Sequence, residues 1–154
     1  MGAGFHVNDA DRALLRQLRT LLLHLHKTLI DWQREEYELD HGTLQTTHLL
    51  QVIFNDEAFA WLRSMSGLIV RIDEALETRG QAPHKGGPYD AKGGPYEEPS
   101  IAPLVAQARE LASPAAGSVY AERYHAALQE LPEAVLAHRD LVTLLKLHNP
   151  PASA

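Results

Sequence analysis

From about Asp9 to Asp40 the apolar positions Leu14, Leu18, Leu21, Leu25, Trp32 and Leu39 recur at intervals of three, four or seven, and Leu15, Leu22 and Leu29 widen that line into a stripe. Such spacing keeps one side of a 3.6-residue helix apolar, so a single long helix is predicted here. Asn8 or Asp9 can accept the free amide protons of its first turn, and Gly42 can adopt the left-handed conformation that stops it. A short helix over about 46–54 follows a tight turn. Asn55 or Asp56 then caps a second long helix, over about 56–78, whose inward face reads Phe59, Leu62, Met65, Leu68, Ile69, Ile72 and Leu76 before Gly80 ends it.

Beyond residue 100 the pattern resumes. Ser100 is placed to cap a helix carrying Ile101, Leu104, Val105, Ala108 and Leu111, which Ser113-Pro114 breaks because proline lacks the amide donor. Ser118 starts the next, with Tyr120, Tyr124, Ala127, Leu128 and Leu131 on its apolar side, and Pro132 opens the last, with Val135, Leu141, Val142 and Leu145 inward. No segment alternates strictly between apolar and polar as a half-buried strand would. The expected fold is all-α: a bundle of four main helices with one or two short extra helices and a long Gly/Pro-rich connector. One domain over 1–154 divides into a helical half at 9–79, a linker at 80–99, a helical half at 100–148 and a frayed tail at 149–154.

The connector contains KGGPYDAKGGPYEE, a seven-residue unit repeated almost perfectly between residues 85 and 98. Glycine pairs loosen it, while Pro83, Pro88, Pro95 and Pro99 deny it helix. Duplicating a unit in a loop adds only about 0.6 kcal/mol of closure entropy per doubling, which favours a spacer. Tyr89 and Tyr96, each beside an acidic residue, make a docking element the alternative.

Composition narrows the function classes. With 154 residues and 45% hydrophobic content the chain can bury one sizeable core. A net charge of −6 without clustered Lys or Arg argues against a nucleic-acid partner. The absence of cysteine removes disulfides, thiolate metal sites and cysteine nucleophiles. MGAGFHVNDADR shows no basic leader followed by an apolar core, His6 stands where a myristoylation signal needs Ser or Thr, and Leu21–Ile30 is too short and too interrupted to span a bilayer. No membrane partner and a cytoplasmic location are therefore expected.

Nine histidines are the compositional oddity. Glu38 with His41, and Glu122 with His125, form two Glu-x-x-His pairs, whose i, i+3 spacing sets a carboxylate and an imidazole side by side as in di-iron carboxylate bundles. Twelve Glu and nine His in 154 residues give about 0.7 such pairs by chance, so two are not surprising. Glu38 and His41 also fall at a helix end, and Glu122 and His125 at the edge of an apolar face. A transition-metal bundle, with His138 as a further candidate ligand, is thus the alternative to a chain without cofactors. His138 lies in line with apolar residues, and Asp73, between Ile69 and Leu76, is its conceivable buried polar partner. The acidic run at 34–40 resembles the magnesium-holding helices of helical pyrophosphatases. It would stand at the opposite end from Asp73, Glu74 and Glu77 if the two long helices run antiparallel. No nucleophile elbow, Walker loop or dinucleotide fingerprint is present.

FNDEAFAWLRSMSGLIVRIDEALE at 54–77, LHKTLIDWQREEYELDHG before it and YHAALQELPEAVLAHRDL near the end resemble a group of small bacterial proteins of unknown function. The resemblance implies a helical cytoplasmic protein, with the connector as its variable part, and brings no activity or ligand. Within this stretch Trp61 and Arg63 pose a choice between an exposed interaction anchor and a Trp61 packed with Met65 and Leu68. The reading reached is a non-enzymatic helical bundle that acts through a protein partner or through self-assembly. Wide apolar stripes on helices of unequal length leave room for a homodimer.

Overall fold

The computed structural model describes residues 8–77 and 100–148, and among these every regular element is helical. In chain order they are α1 (Asp9–His41), α2 (Thr46–Asn55), a 3-10 helix (Glu57–Leu62), α3 (Arg63–Glu77), α4 (Ala102–Ala112), α5 (Val119–Glu130) and α6 (Pro132–His148). The connector, with Tyr89 and Tyr96, and the tail lie outside the described residues.

The 33 residues of α1 give it a length of roughly 50 Å, which makes it the longest element described. Its start is capped by Asn8, whose Oδ1 accepts from the Asp11 amide at 2.8 Å. Its end is set by Gly42, which takes φ +85°, a conformation open to glycine, and donates its amide to the Glu38 carbonyl at 2.9 Å. Between these caps two seven-residue series are buried: Leu15, Leu22 and Leu29, and Leu18, Leu25 and Trp32. Leu39 continues the second series in sequence, yet it is 85% exposed, because the partner helices end before α1 does.

A third seven-residue series fixes how α3 lies on α1. Arg12 donates to the Leu76 carbonyl, Arg19 pairs with Asp73, His26 with Ser66, and Gln33 accepts from Trp61. The α1 numbers rise while the partner numbers fall, so the two helices run antiparallel in one register. That places the acidic run of α1 and the Asp73/Glu74/Glu77 group at opposite ends. It also corrects the expected pairing of Asp73 with His138, since the Arg19 guanidinium holds the Asp73 carboxylate at a half-exposed edge.

The helix predicted over 56–78 is two elements. Residues 57–62 wind as a 3-10 helix, with Asp56 Oδ1 accepting from the Ala58 amide at 2.8 Å and the Asp56 carbonyl accepting from Arg63 at 3.0 Å. Winding at three residues per turn stacks Phe59 over Leu62, and Trp61 on the neighbouring side is covered by Trp32 and Tyr120, so all three are buried.

α1 packs on α3 and α6, α4 packs on the same two, and α5 leans on α6 and the 3-10 helix. One hydrophobic cluster runs from Leu14 to Leu145 and draws on both sides of the connector. In α6 the buried face is Ala134, Ala137, Leu141 and Leu145, so Leu141 and Leu145 point inward as expected and Val135 alone does not. The small alanines let α6 approach closely, and Val135 turns to solvent.

Leu22, fully buried at the centre of α1, should lose about 2–5 kcal/mol of stability on replacement by Ala. Leu39→Ala should stay within about 0.5 kcal/mol, although the sequence places both in the same apolar stripe. Urea unfolding of the two variants beside the parent chain measures the contrast.

Candidate interaction surface

Two features stand out once the helices are in place, a polar and aromatic node inside the bundle and an apolar groove on its outside. The node centres on Gln33 and Arg123. Gln33 is buried, and its Oε1 accepts from Trp61 Nε1 at 2.7 Å and from Arg123 Nη2 at 3.0 Å. The same Arg123 nitrogen lies 2.6 Å from Glu36 Oε1, and the guanidinium carbon sits 4.6 Å from the Trp32 ring centre. Trp32 meets Trp61 edge to face with centroids 6.3 Å apart, and its Nε1 donates to Glu130 at 2.8 Å. Tyr120 stacks on Tyr124, and its hydroxyl donates to the Leu111 carbonyl at 2.7 Å. Every bond in the set joins two elements, except the stacking of Tyr120 on Tyr124 within α5.

The node is saturated. Both acceptor positions of the Gln33 oxygen are used, and no buried side-chain nitrogen or oxygen among the described residues lacks a partner. Burial pushes the hydroxyls of Tyr120 and Tyr124 far above the ordinary tyrosine range, which keeps them protonated as donors. The node ties α1, the 3-10 helix, α4 and α5 together and presents no free reactive group.

Beside it an open hollow of about 630 Å³ is lined by Glu35, Glu36, Glu38, Glu130, Trp32 and Leu39. Three of its four carboxylates are already engaged: Glu36 by Arg123, Glu130 by Trp32, and Glu38 by Arg34 at 3.2 Å and the Leu44 amide at 2.7 Å. The amide of Leu44 is the chief reason the Glu38 carboxyl lies below the usual range, so this side chain closes the turn after α1. His41 stacks on Tyr37 at 4.0 Å, and its Nδ1 lies 3.1 Å from the Tyr37 carbonyl oxygen.

The sequence-derived metal candidates are therefore dispersed. Glu38 and His41 serve the end of α1, and Glu122 and His125 are exposed on α5. Among the described residues no three His, Cys, Asp or Glu side chains form a group suited to one ion. His138 is half-buried, and in its neutral form it accepts the fully buried Tyr124 hydroxyl at Nδ1, 2.8 Å away. Trp61 is buried against Trp32 and Tyr120, in the same core cluster as Met65 and Leu68, and Arg63 is exposed on the outer surface. Sequence reasoning missed Gln33, Glu36 and Arg123. The one signal available was that Gln33 follows Trp32 on the inward side of α1.

The outer groove lies beside the contact of α2 with the 3-10 helix and draws residues from α1 and α3 as well. It holds about 210 Å³ and is lined by Ile30, Ile53, Phe54, Phe59, Leu62, Arg63, Ser66, Gly67 and Val70. α2 is the most apolar of the described helices, yet none of its residues is buried. Phe54 is 66% exposed, Leu50 61% and Val70 53%. No Asp, Glu, Lys or Arg occurs between Thr46 and Asn55.

Replacing Arg123 by Met removes the cation from two indole faces and a donor from Gln33, and should cost about 1–3 kcal/mol by denaturant unfolding. The same change at exposed Arg63 should cost less than about 0.5 kcal/mol. A pH dependence follows from two imidazoles. Burial holds His26 below its ordinary 6.5, and burial first, then the nearby His125, does the same for His138. The unfolded chain thus takes up protons before the folded one, so stability is complete above about pH 6.5 and falls as pH drops through that value. Glu38, with its pKa lowered, adds a separate loss below about pH 4.5. Thermal melts from pH 8 to 5 should show the first loss, and the double variant His26→Gln, His138→Gln should flatten it.

No family model, curated protein or solved structure matches the chain, so its function has to be argued from this geometry.

Proposed function

We propose that this protein works by binding rather than catalysis, as a helical bundle whose main helices α1, α3, α4 and α6 hold α2 and its groove out as a contact surface. The observation that carries the reading is the inversion at α2: the most apolar described helix has no buried residue, with only Val52 and Ile53 packed partly against the core. Leaving Phe54, Leu50 and Val70 in water forgoes roughly 25 cal/mol for each Å² of apolar surface, and contiguous apolar patches of this kind mark sites that another surface covers.

The class of partner is narrowed by charge. Helices that lie on membranes carry Lys and Arg on their polar side, and α2 has neither. Among the described helices none is long and apolar enough to cross a bilayer. Nucleic acid would need cations where this surface offers Arg63 alone. An apolar protein surface fits. Catalysis has little support, since the polar node is saturated and the groove walls are almost wholly hydrocarbon.

The absence of native cysteine permits a direct test. Leu50→Cys, carrying a thiol-linked photocrosslinker, should give covalent protein adducts in the purified sample or in extract. Leu147→Cys, more exposed than Leu50 but on α6, should give none. Equal labelling from both positions, or none from Leu50, overturns the reading.

A further inference from the structure

Ser66 lines the outer groove, and its hydroxyl oxygen stands 2.8 Å from His26 Nε2 on α1. The two residues lie 40 positions apart in the chain, so no sequence motif announces the pair. Burial holds the His26 imidazole below its ordinary 6.5, so at neutral pH the ring is uncharged and one nitrogen carries a lone pair. His26 Nδ1 has no partner among the described residues, where no buried nitrogen goes unpaired, so it faces water. The other acceptor within reach of the Ser66 hydroxyl, the Leu62 carbonyl, is farther away at 3.3 Å. The tautomer with its proton on Nδ1 therefore leaves Nε2 to accept the hydroxyl proton. A serine bonded in this way is an activated nucleophile, because the ring takes the proton as the oxygen attacks.

The surroundings of Ser66 select what it attacks. Gly67 follows it, and a Cβ placed there would meet nothing within 4 Å, so the approach to the hydroxyl is open. Arg63, three residues earlier and therefore on the same side of α3, also lines the groove. It donates through Nη2 to the Asp56 carbonyl at 3.0 Å and keeps further N–H groups for an incoming oxygen. The rest of the lining, from Ile30 and Ile53 to Phe59 and Val70, is hydrocarbon around a hollow of about 210 Å³. A nucleophile beside a cation, above an apolar hollow, fits a carbonyl group that carries a short hydrocarbon chain.

We propose that Ser66 is an acylation site: it takes the acyl group of an activated ester whose chain lies in the groove, with His26 accepting the proton and Arg63 meeting the carbonyl oxygen. Ser66 Oγ bonds to the carbonyl carbon, and the bond from that carbon to the leaving oxygen breaks. The leaving group departs with the electron pair, and the serine proton passes to His26 Nε2. The modification is stoichiometric. Backbone amides around Ser66 are committed to the bonds of α3, and among the described residues no carboxylate is bonded to His26 Nδ1. Neither an oxyanion hole nor a triad therefore supports release of the acyl group by water. Acylation goes beyond the contact role proposed for α2 and needs only an open groove.

The purified chain, incubated at about pH 7.5 with p-nitrophenyl butanoate or p-nitrophenyl acetate, gives the test, with adducts located by intact mass and peptide mapping. One butanoyl group per chain is expected, on Ser66, formed at least about tenfold faster than the acetyl group because the longer chain reaches the hydrocarbon wall. Ser66→Ala should abolish it. His26→Gln, whose amide oxygen still accepts the hydroxyl but takes no proton, should slow it at least about 100-fold with melting unchanged, which separates proton transfer from a purely structural role. Arg63→Met lies off the contact with α1 and should slow it roughly tenfold, less than loss of a buried oxyanion donor because Arg63 is exposed. Acyl groups confined to lysines or histidines, acetylation as fast as butanoylation, or a rate indifferent to His26→Gln overturns the proposal. Such a failure beside Leu50 adducts leaves the contact surface standing, whereas acylation of Ser66 without those adducts overturns the contact surface alone.

Discussion

The structure depends on the register between α1 and α3. Apolar burial is indifferent to a slide of one turn, since another leucine arrives where the last one left. The polar contacts at Arg12, Arg19, His26 and Gln33 are not indifferent, because each has one partner along α3 or the 3-10 helix. A shift of one turn, about 5.4 Å, would break all four together and leave Gln33 and Trp61 buried without each other. With that register set, Trp61 arrives beside Trp32, and the position for Arg123 is defined.

Arg123 then does for α5 what the ladder does for α3. A guanidinium brought to the bundle edge requires compensation, and it finds a carboxylate, an amide oxygen and two indole faces. The contacts are directional, so together with the buried Tyr124 and its bond to His138 they hold α5 in one orientation, which its small buried residues Ala121 and Ala127 alone would not. The 3-10 helix of residues 57–62 belongs to the same arrangement, since Trp61 donates to Gln33 while Phe59 and Leu62 lie in the core.

α2 stands apart from this economy. It is joined to a tightly specified frame, but its own apolar side chains find little inside the molecule to cover them. A rigid frame that presents an apolar helix loses little conformational entropy when that helix is covered, which suits a binding surface.

Helix content and most helix ends were legible in the sequence because they are local. Apolar spacing sets the helices, and Asn8, Gly42, Ser118 and Pro132 mark their ends through hydrogen bonds or dihedrals that reach only a few residues. The candidate sites were less legible. The pairing of Asp73 with Arg19, of His138 with Tyr124, and of Gln33 with both Trp61 and Arg123 joins residues that only packing brings together. Leu39 and α2 show the same limit from the other side. Their apolar side chains satisfy the pattern of a buried face, yet burial requires a partner surface, and periodicity carries no information about where the neighbouring helices end. The sequence by itself determined which segments are helices and roughly which sides are apolar. Only the tertiary structure decided which of those sides were covered, because coverage depends on the lengths and directions of elements far apart in the chain.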